Sequence, residues 1–417
     1  MPWLADKPNH AADGRFGTAS KAGLLAQSAR FDLCGNCGRP GSGRQRSAAP
    51  EGRWIYPSAL PDGRTVRLLK VLQTNRCTKN CLYCENRVSR DIPRDTFSPE
   101  ELARLFENLR SGGAADGLFL SSSVSGRPDG DMARMIATAE LLRRRFRFRG
   151  YIHMKILPGA SRPAIEAAAR LADRISINLE APGPAALARI AAQKEFPRDI
   201  EPQIAWIQQA VEDPGLRARS HTTQFVVGAA GESDLEILRS TDLLYRKRGL
   251  ERAYFSAYQP PDESAPLTSP PVPLMREHRL YQADFLLRRY RFELDELVFQ
   301  ADGLLSLEVD PKQAWAGRHP EFFPVDLARA PLELLLRVPG IGPVSAKRIC
   351  SWRRSGVLRE GSDLKQTGVV LGRAAPYSLW KGRRVSAEEG QPSLPFRAER
   401  DGDRAEPRGG CPAWGAL

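Results

Sequence analysis

Short apolar runs alternate with amphipathic segments along the chain from residue 65 onward. This alternation, with short connections, is typical of a parallel β/α architecture. The apolar runs predict six strands, at Thr65–Leu72, Gly117–Ser121, Tyr151–Ile156, Arg174–Leu179, Thr222–Val227 and Arg252–Ala257. The amphipathic runs predict helices at 98–110, 132–145, 161–172, 184–213, 233–248 and 275–290.

The helix start at Ser98 illustrates the local signals. Ser98 stands at the N-cap position of SPEELARLFENLR, Pro99 at the first helical position and Glu101 at the third. Serine and glutamate at these positions can satisfy backbone amides that a helix start leaves free, and proline has no amide there to satisfy. The segment therefore predicts a helix that begins at this point.

Composition adds limits on size, compartment and partner. The 417 residues leave room for one large α/β domain of roughly 200 to 250 residues and smaller appendages. No apolar run approaches the roughly 20 residues that span a bilayer, and the N-terminus lacks the plan of an export signal. We therefore expect a cytoplasmic protein without a membrane partner. The net charge of +13 favours polyanionic partners, although abundant arginine and alanine can also reflect genome composition.

Three cysteines stand close together after the first predicted strand. Cys77, Cys81 and Cys84 lie in TNRCTKNCLYCENR with the spacing CxxxCxxC, and an aromatic residue, Tyr83, precedes the last thiol. Three thiolates satisfy three irons of a [4Fe–4S] cube, whereas an electron-carrying cluster normally has four cysteines. A zinc site lacks a fourth Cys or His nearby, and seven cysteines without a secretory signal fit disulfides poorly. Buried cysteines that are close by chance are the remaining alternative.

The run CxxxCxΦC, where Φ is aromatic, resembles the signature of the radical S-adenosylmethionine (SAM) superfamily. The resemblance implies a [4Fe–4S] cluster whose open iron chelates SAM, and reductive cleavage of SAM to methionine and a 5′-deoxyadenosyl radical. It also implies a reductant such as flavodoxin or ferredoxin. The fold it implies is α/β, a partial (βα)6 TIM-type barrel, with which the six predicted strand–helix units agree.

Barrels of this type carry their chemistry at the C-terminal ends of the strands. The second predicted strand ends in serines where the superfamily has Gly-Gly-Glu, and the fifth ends in a partial match to the superfamily's GxIxGxxE. An ordinary turn, a solvated ion pair or a tight glycine turn would explain the same residues. The candidate cofactor-binding residues are Tyr83, Ser121, Ser122, Ser123, Asn178, Glu180, Gly228 and Glu232.

Three further strand-end residues are candidates for catalysis or substrate binding. His153 and Lys155 share one face of the third strand because side chains alternate along a strand, and Tyr258 follows the sixth strand. Histidine and tyrosine are also often packed and hydrogen-bonded without a catalytic role.

A second motif lies in PLELLLRVPGIGPVSAKRIC. Its pattern LxxVPGIGxxxAxxI predicts two helices joined by a glycine turn, which resembles a helix-hairpin-helix, although a plain helical hairpin would have a similar turn. Such a turn brings backbone amides close to a DNA phosphate, next to the N-terminus of the second helix. The candidate DNA-binding residues are Gly340, Ile341, Gly342, Lys347 and Arg348.

Residues 20 to 375 as a whole resemble a family of radical SAM proteins described as acting in DNA modification or repair. The predicted organisation is an N-terminal extension (1–60), the barrel (61–262), a proline-rich crossing with a helical connector (263–330), the helix-hairpin-helix module (331–375) and a disordered tail (376–417). Cys34 and Cys37 in the extension form a CxxC that would serve a second cluster, zinc or redox chemistry, or consist of free thiols. Gln391 to Phe396 loosely resembles a peptide that docks on the bacterial sliding clamp, a match that also arises by chance.

These observations predict a radical SAM enzyme that acts on DNA. A radical SAM enzyme for RNA or a small molecule, with the hairpin serving protein contact, is the alternative within enzymes. A DNA-binding protein with a structural or redox-sensing cluster is the alternative from another class.

Overall fold

A computed structural model describes residues 18–29, 54–59, 65–260, 266–267 and 270–386. Cys34, Cys37 and the segment from Gln391 to Phe396 lie outside the described residues. The chain divides into two compact units. The first runs to Glu232 and resumes for Leu243–Pro273, and the second contains Ser233–Asp242 and the chain from Leu274.

A seven-stranded sheet organises the first unit. Its strands lie in the order of the sequence, with β1 antiparallel to β2 and all later neighbours parallel. Six sequential parallel strands with helices between them are consistent with the partial barrel that the sequence predicts. The strands are β1 (Ile55–Ala59), β2 (Thr65–Leu72), β3 (Gly117–Ser121), β4 (Tyr151–Lys155), β5 (Arg174–Ser176), β6 (Ser220–Val227) and β7 (Arg252–Ala257).

Burial explains why these runs form strands. Every residue of β3 is buried, as expected for a parallel strand covered on both faces. Gly117 at its start leaves no space for a side chain, because an added Cβ would lie 2.7 Å from Leu68 and 2.8 Å from the Tyr151 carbonyl oxygen. Adjacent strands therefore pack closely at the base of the sheet.

The helices of the chain up to residue 248 begin with clear signals. Ser98 caps α2 with the reciprocal hydrogen bonds of a capping box to Glu101, and Ser161 caps α4. Proline stands in the first turn of α2 to α6. The helices are α1 (Thr18–Ser28), α2 (Pro99–Ser111), α3 (Pro128–Glu140), α4 (Arg162–Leu171), α5 (Pro184–Ile190), α6 (Glu201–Glu212) and α7 (Asp234–Arg248).

All six predicted strands are present, but two helix predictions need correction. The predicted helix 184–213 consists of α5 and α6, separated by a stretch that includes a π-helical turn at Phe196–Ile200. Pro197 and Pro202 lack the amides that a continuous helix would use. The predicted helix 132–145 begins earlier, at α3, and ends in a second π-helical turn, Leu141–Arg145.

The fourth strand is shorter than predicted. β5 ends at Ser176 rather than at Leu179. Beyond it, Glu180 adopts a left-handed backbone conformation with φ of 67° and forms an isolated bridge to Phe225. Helix α1 and strand β1 were not predicted.

The second unit is mainly helical. The buried Asp234 carboxylate accepts hydrogen bonds from Arg276 Nε at 2.7 Å and the Leu305 amide at 2.8 Å, which holds the first turn of α7 in this unit. Its later helices are α8 (Leu274–Arg289), α9 (Pro311–Arg318), α10 (Leu332–Arg337), α11 (Pro343–Arg354) and α12 (Leu371–Ala374).

A small sheet lies near the end of the described chain. It consists of β8 (Val325–Asp326), β9 (Ser378–Trp380) and β10 (Arg383–Arg384), with β9 in the middle. Both β9 and β10 fall in the segment 376–417, for which composition predicts disorder, so ordered structure extends past that predicted boundary. No helix in the described part of the chain is long and apolar enough to cross a membrane.

Candidate functional site

The cysteine loop, defined here as residues 73–97, leaves the C-terminal end of β2. Its base is closed by the Phe97 amide, which donates to the Gln73 carbonyl at 2.9 Å. The Gln73 amide in turn donates to the Ser121 carbonyl at the end of β3, at 2.8 Å. The loop therefore begins and ends at the edge of the sheet where parallel barrels carry their chemistry.

Two neighbouring segments fix the part of the loop that carries the thiols. The Thr78 amide donates to the Val124 carbonyl at 2.8 Å, after β3. The Leu82 amide donates to the Ile190 carbonyl at 2.8 Å, at the end of α5. The cysteines are thus held by main-chain contacts and not by their own side chains alone.

A single arginine closes the rest of the loop. The Arg94 guanidinium donates to four main-chain carbonyls, at 2.6 to 3.0 Å. Charged donors make stronger hydrogen bonds than neutral ones, and the planar guanidinium can serve several acceptors at once. The acceptors are the carbonyl oxygens of Asn75, Asn86, Arg87 and Arg90.

The three thiols interact with one another electrostatically. Burial raises the pKa of Cys84 to about 12, and the charges of Cys81 and Cys77 add to the rise. Burial also raises the pKa of Cys81, with a further contribution from Cys77. Metal ligation requires thiolates, so metal binding here must displace protons.

The arrangement differs from a mononuclear metal site. In the described part of the chain, no group of three or more His, Cys, Asp or Glu side chains could hold a metal ion. An iron–sulfur cube places each thiolate on a different iron, so its ligands surround a cluster and do not converge on one point. Three buried or half-buried thiols on one fixed loop fit that requirement.

A buried polar network adjoins the thiols. Glu180, whose left-handed backbone follows β5, has its carboxylate 3.3 Å from the Lys194 ammonium. The ammonium also donates to the Tyr83 hydroxyl at 2.9 Å. The Lys194 and Glu180 side chains are only 10 % and 8 % exposed. Tyr83 and Glu180, both predicted from the sequence, thus come together through a residue that was not.

The charge states in this network follow from its surroundings. Burial alone would lower the pKa of Lys194, but the charges of Cys81, Glu180 and Cys84 outweigh it and raise that pKa. Burial and the charge of Glu180 raise the pKa of Tyr83 well above its usual value. Lys194 is therefore a cation and Tyr83 a neutral hydroxyl at neutral pH.

Lys194 escaped prediction because it stands in the predicted helix 184–213, where a charged residue is usually solvated. Pro197 and Pro202 were the signal that could have located the break. Beyond α5 the chain turns back to the cysteine loop, and the Lys194 amide donates to the Ala191 carbonyl at 2.8 Å within that turn.

The predicted serines follow β3 as expected. Ser121 is buried, and the Ser123 amide donates to the Thr74 carbonyl at 2.9 Å in the cysteine loop. The Ser122 hydroxyl donates to the Ser123 carbonyl at 3.0 Å. The serine segment therefore lies directly beside the start of the cysteine loop.

Glu232 shapes the turn after β6. One oxygen of its carboxylate accepts from the Gly228 amide and the other from the Ala230 amide, the latter at 3.0 Å. Gly228 and Gly231 have φ of 80° and 70°, the left-handed region that favours glycine. A cofactor role for Gly228 and Glu232 stays a prediction, and the contacts of Glu232 described here are structural.

His153 is packed inside the sheet. Its Nε2 is 2.7 Å from the Ser176 hydroxyl, its ring packs edge-on against Phe119, and it is 1 % exposed. Burial, with the charges of Arg174 and Lys155, lowers its pKa well below the usual value. A neutral, enclosed imidazole fits the structural alternative better than a catalytic role.

Lys155 and Tyr258 have different surroundings. The Lys155 ammonium is hydrogen-bonded to the Asn178 side-chain oxygen and lies 5.9 Å from the Phe119 ring centre. The Tyr258 hydroxyl is buried and has no hydrogen-bond partner among the described residues. Burial raises the pKa of Tyr258, and the nearby charge of Arg87 opposes the rise. Tyr258 is therefore the candidate whose polar group is still available.

The glycine turn, defined here as residues 338–342, joins α10 and α11 in the second unit. Gly340 has φ of 84°, and an added Cβ would lie 2.6 Å from the Val370 carbonyl oxygen. The amides of Gly340 and Gly342 donate to no acceptor within the described residues. Gly342 is the N-cap of α11 and has no side chain to cap it.

Ile341 does not offer the contact that the sequence predicts. Its side chain is 1 % exposed, its amide donates to the Val338 carbonyl at 3.1 Å, and its carbonyl accepts from the buried Lys312 ammonium at 2.6 Å. Ile341 therefore supports the turn from inside. Lys347 and Arg348 are exposed on α11, and Arg348 also reaches the Thr367 carbonyl at 3.4 Å.

The family comparison agrees with this geometry. Residues 71–244 match the model of the radical SAM superfamily, so this part of the chain is a radical SAM domain and the protein a radical SAM enzyme. The match contains the cysteine loop, Glu180, Lys194 and Glu232. The domain implies a [4Fe–4S] cluster and SAM, and Cys77, Cys81 and Cys84 would hold the cluster.

Solved structures of similar proteins are distant. The hydrogenase maturase HydG from Carboxydothermus hydrogenoformans is 15 % identical with a TM-score of 0.43, over 52 % of this chain and 50 % of that one. A radical SAM methyltransferase from Sphaerobacter thermophilus is 16 % identical with a TM-score of 0.40, over 55 % and 69 %. The chain thus spans about half the length of the maturase it matches. No curated protein matches the sequence.

Proposed function

We propose that this protein is a radical SAM enzyme whose substrate is DNA, in base modification or lesion repair. When bound and reduced, the cluster and SAM supply a 5′-deoxyadenosyl radical that abstracts a hydrogen atom. The chain's own residues hold the cysteine loop and present buried polar groups, among them Tyr258, at the strand ends. The second unit would bind the DNA backbone.

The observation that carries the DNA proposal is the pair of free amides in the glycine turn. The amides of Gly340 and Gly342 lack acceptors within the described residues, and both glycines are partly exposed. Gly342 also begins α11, whose N-terminus favours an anion through the helix dipole. A phosphate oxygen is the acceptor that this arrangement suits.

Charge around the turn supports the same ligand. Lys347 and Arg348 are exposed on the α11 turn that follows, and the whole chain has a net charge of +13. Contacts of this kind bind the DNA backbone without reading its sequence. The pattern LxxVPGIGxxxAxxI, which resembles a helix-hairpin-helix, supports the same interpretation.

The chemistry would require an accessible base. A base stacked within a duplex cannot enter the end of a barrel, so the target must be flipped out or lie in a single strand. We therefore expect single-stranded or mismatched DNA to be a better substrate than an intact duplex.

A binding experiment tests the role of the glycine turn. Fluorescence anisotropy with labelled duplex and single-stranded DNA, at several salt concentrations, gives the affinity and its salt dependence. We expect Lys347→Ala to weaken binding for all sequences and to reduce the log–log salt slope by about one. Arg354→Ala is the matched control, because it removes an exposed charge from the other end of α11. Equal loss in both variants would leave the turn without a specific role.

A labelling experiment tests the substrate. The enzyme, reconstituted anaerobically and reduced with dithionite in the presence of SAM, is incubated with deuterated DNA. Deuterium in 5′-deoxyadenosine supports DNA as substrate. 5′-Deoxyadenosine without deuterium excludes the labelled DNA positions and favours RNA or a small molecule. An intact cluster that yields no 5′-deoxyadenosine would favour a structural or redox-sensing cluster.

A further inference from the structure

The segment 190–194 is attached to the cysteine loop at several points. Besides the bond between Leu82 and Ile190, the Asn80 amide donates to the Gln193 side-chain oxygen at 2.7 Å. The Lys79 ammonium donates to the Gln193 carbonyl at 3.2 Å. Lys194, the next residue, is thus held in a defined position relative to the thiols.

The charge of Lys194 acts on the thiols more strongly than that of its partner Glu180. At Cys81, the positive charge of Lys194 affects the pKa more than the negative charge of Glu180 does. At Cys84, Lys194 lowers the pKa and Glu180 is not among its principal influences. The ion pair therefore leaves a net positive potential at both sulfurs.

Burial makes this potential effective. The Lys194 side chain is 10 % exposed, and its ammonium interacts with Tyr83 and Glu180 inside the protein. Charges that are shielded from solvent are screened far less than surface charges, so their influence on a neighbouring group is larger.

We infer that Lys194 sets the reduction potential of the cluster that Cys77, Cys81 and Cys84 would hold, by stabilising its reduced state. Adding one electron makes the cluster and its thiolates one charge more negative, and a fixed cation nearby favours that change. The electron comes from a low-potential one-electron reductant, and no bond or proton at Lys194 changes. The inference rests on the cluster of the proposed enzyme and is independent of DNA.

The test is a redox titration of the reconstituted full-length protein without SAM, followed by electron paramagnetic resonance. In Lys194→Met we expect the equilibrium constant for one-electron reduction to fall at least about tenfold, which moves the midpoint about 59 mV more negative. Lys194→Gln should shift the midpoint in the same direction, and Lys194→Arg should restore most of it. The double variant Lys194→Met with Glu180→Gln should stay below the wild-type midpoint.

Lys79→Met is the matched control, because it removes the same charge from the cysteine loop at a more solvated place. A wild-type midpoint in Lys194→Met and Lys194→Gln, at full iron content, would overturn the inference. An equal shift in Lys194→Arg would indicate a packing role and overturn it as well. A wild-type protein that assembles no cluster would overturn both the inference and the proposed enzyme, whereas a failure to bind DNA would affect only the proposed substrate.

Discussion

The cysteine loop and the glycine turn are each held by a basic side chain that donates to main-chain carbonyls, but they present different groups. Arg94 holds four carbonyls of the cysteine loop, which presents thiol side chains. Lys312 holds the single Ile341 carbonyl of the glycine turn, which presents backbone amides. A loop that presents side chains depends on residue identity at the ligands, whereas a turn that presents its backbone depends on conformation.

The thiols themselves should give the largest effect. We expect Cys84→Ala to lose cluster iron after reconstitution and, with it, nearly all 5′-deoxyadenosine formation, because one iron of the cube loses its protein ligand. Iron analysis and product chromatography measure both losses. Cys350→Ala is the control, since this half-buried cysteine lies in α11 of the second unit. Equal iron loss in both variants would break the assignment of the cysteine loop.

Removal of Arg94 should come next. In Arg94→Met four carbonyls lose a charged donor, and we expect about 3 kcal/mol less unfolding free energy and a lower iron content. Urea denaturation and iron analysis are the measurements. Arg76→Met removes an exposed arginine from the same loop and should change the unfolding free energy by under about 0.5 kcal/mol. Similar values for the two would mean that Arg94 does not hold the loop.

Gly340 sharpens the contrast from the side of the glycine turn. Gly340→Ala combines a left-handed backbone with a Cβ placed 2.6 Å from the Val370 carbonyl oxygen, so we expect a loss of about 2–3 kcal/mol. Gly356→Ala has φ of 75° but no atom within 4 Å of its Cβ, and should cost about 1 kcal/mol. The difference between the two, measured by urea denaturation, isolates the close contact. Equal losses would show that backbone conformation alone matters.

Lys312 should give the smallest effect, one that depends on pH. Burial lowers its pKa well below the usual value, so the unfolded chain binds this proton more tightly than the folded chain. The unfolding free energy of the wild type relative to Lys312→Met should therefore rise with pH up to about 10, near the ordinary lysine pKa. Urea denaturation of both proteins at pH 7 and pH 10 checks the sign. A difference that falls with pH would contradict a buried, uncharged amine.

Local sequence signals predicted much of the fold. β2, β3 and β7 have the predicted bounds, because a continuous apolar run flanked by polar residues limits a buried strand on both sides. The α2 start at Ser98 was equally clear, since its capping box is encoded within four residues. The break between α5 and α6 was missed because the amphipathic pattern continues through it.

The candidate site was predicted in part. Tyr83 and Glu180 lie in one network beside the thiols, whereas His153 is enclosed by its neighbours and Ile341 is committed to the turn. The residues that prediction missed are the basic ones that hold these features, Lys194 and Lys312. A lysine in a helical pattern looks like any solvated lysine until its distant partner is known.

The sequence by itself determined the ligand spacing of Cys77, Cys81 and Cys84, the order of the strands and the glycines of the turn, because each of these depends on neighbours close in the chain. Only the tertiary structure decided which charges surround them. Lys194 and Tyr83 are 111 positions apart yet hydrogen-bonded, and Lys312 and Ile341 are 29 apart. Burial then gives those contacts their strength, since a charge removed from water acts on its neighbours with little screening.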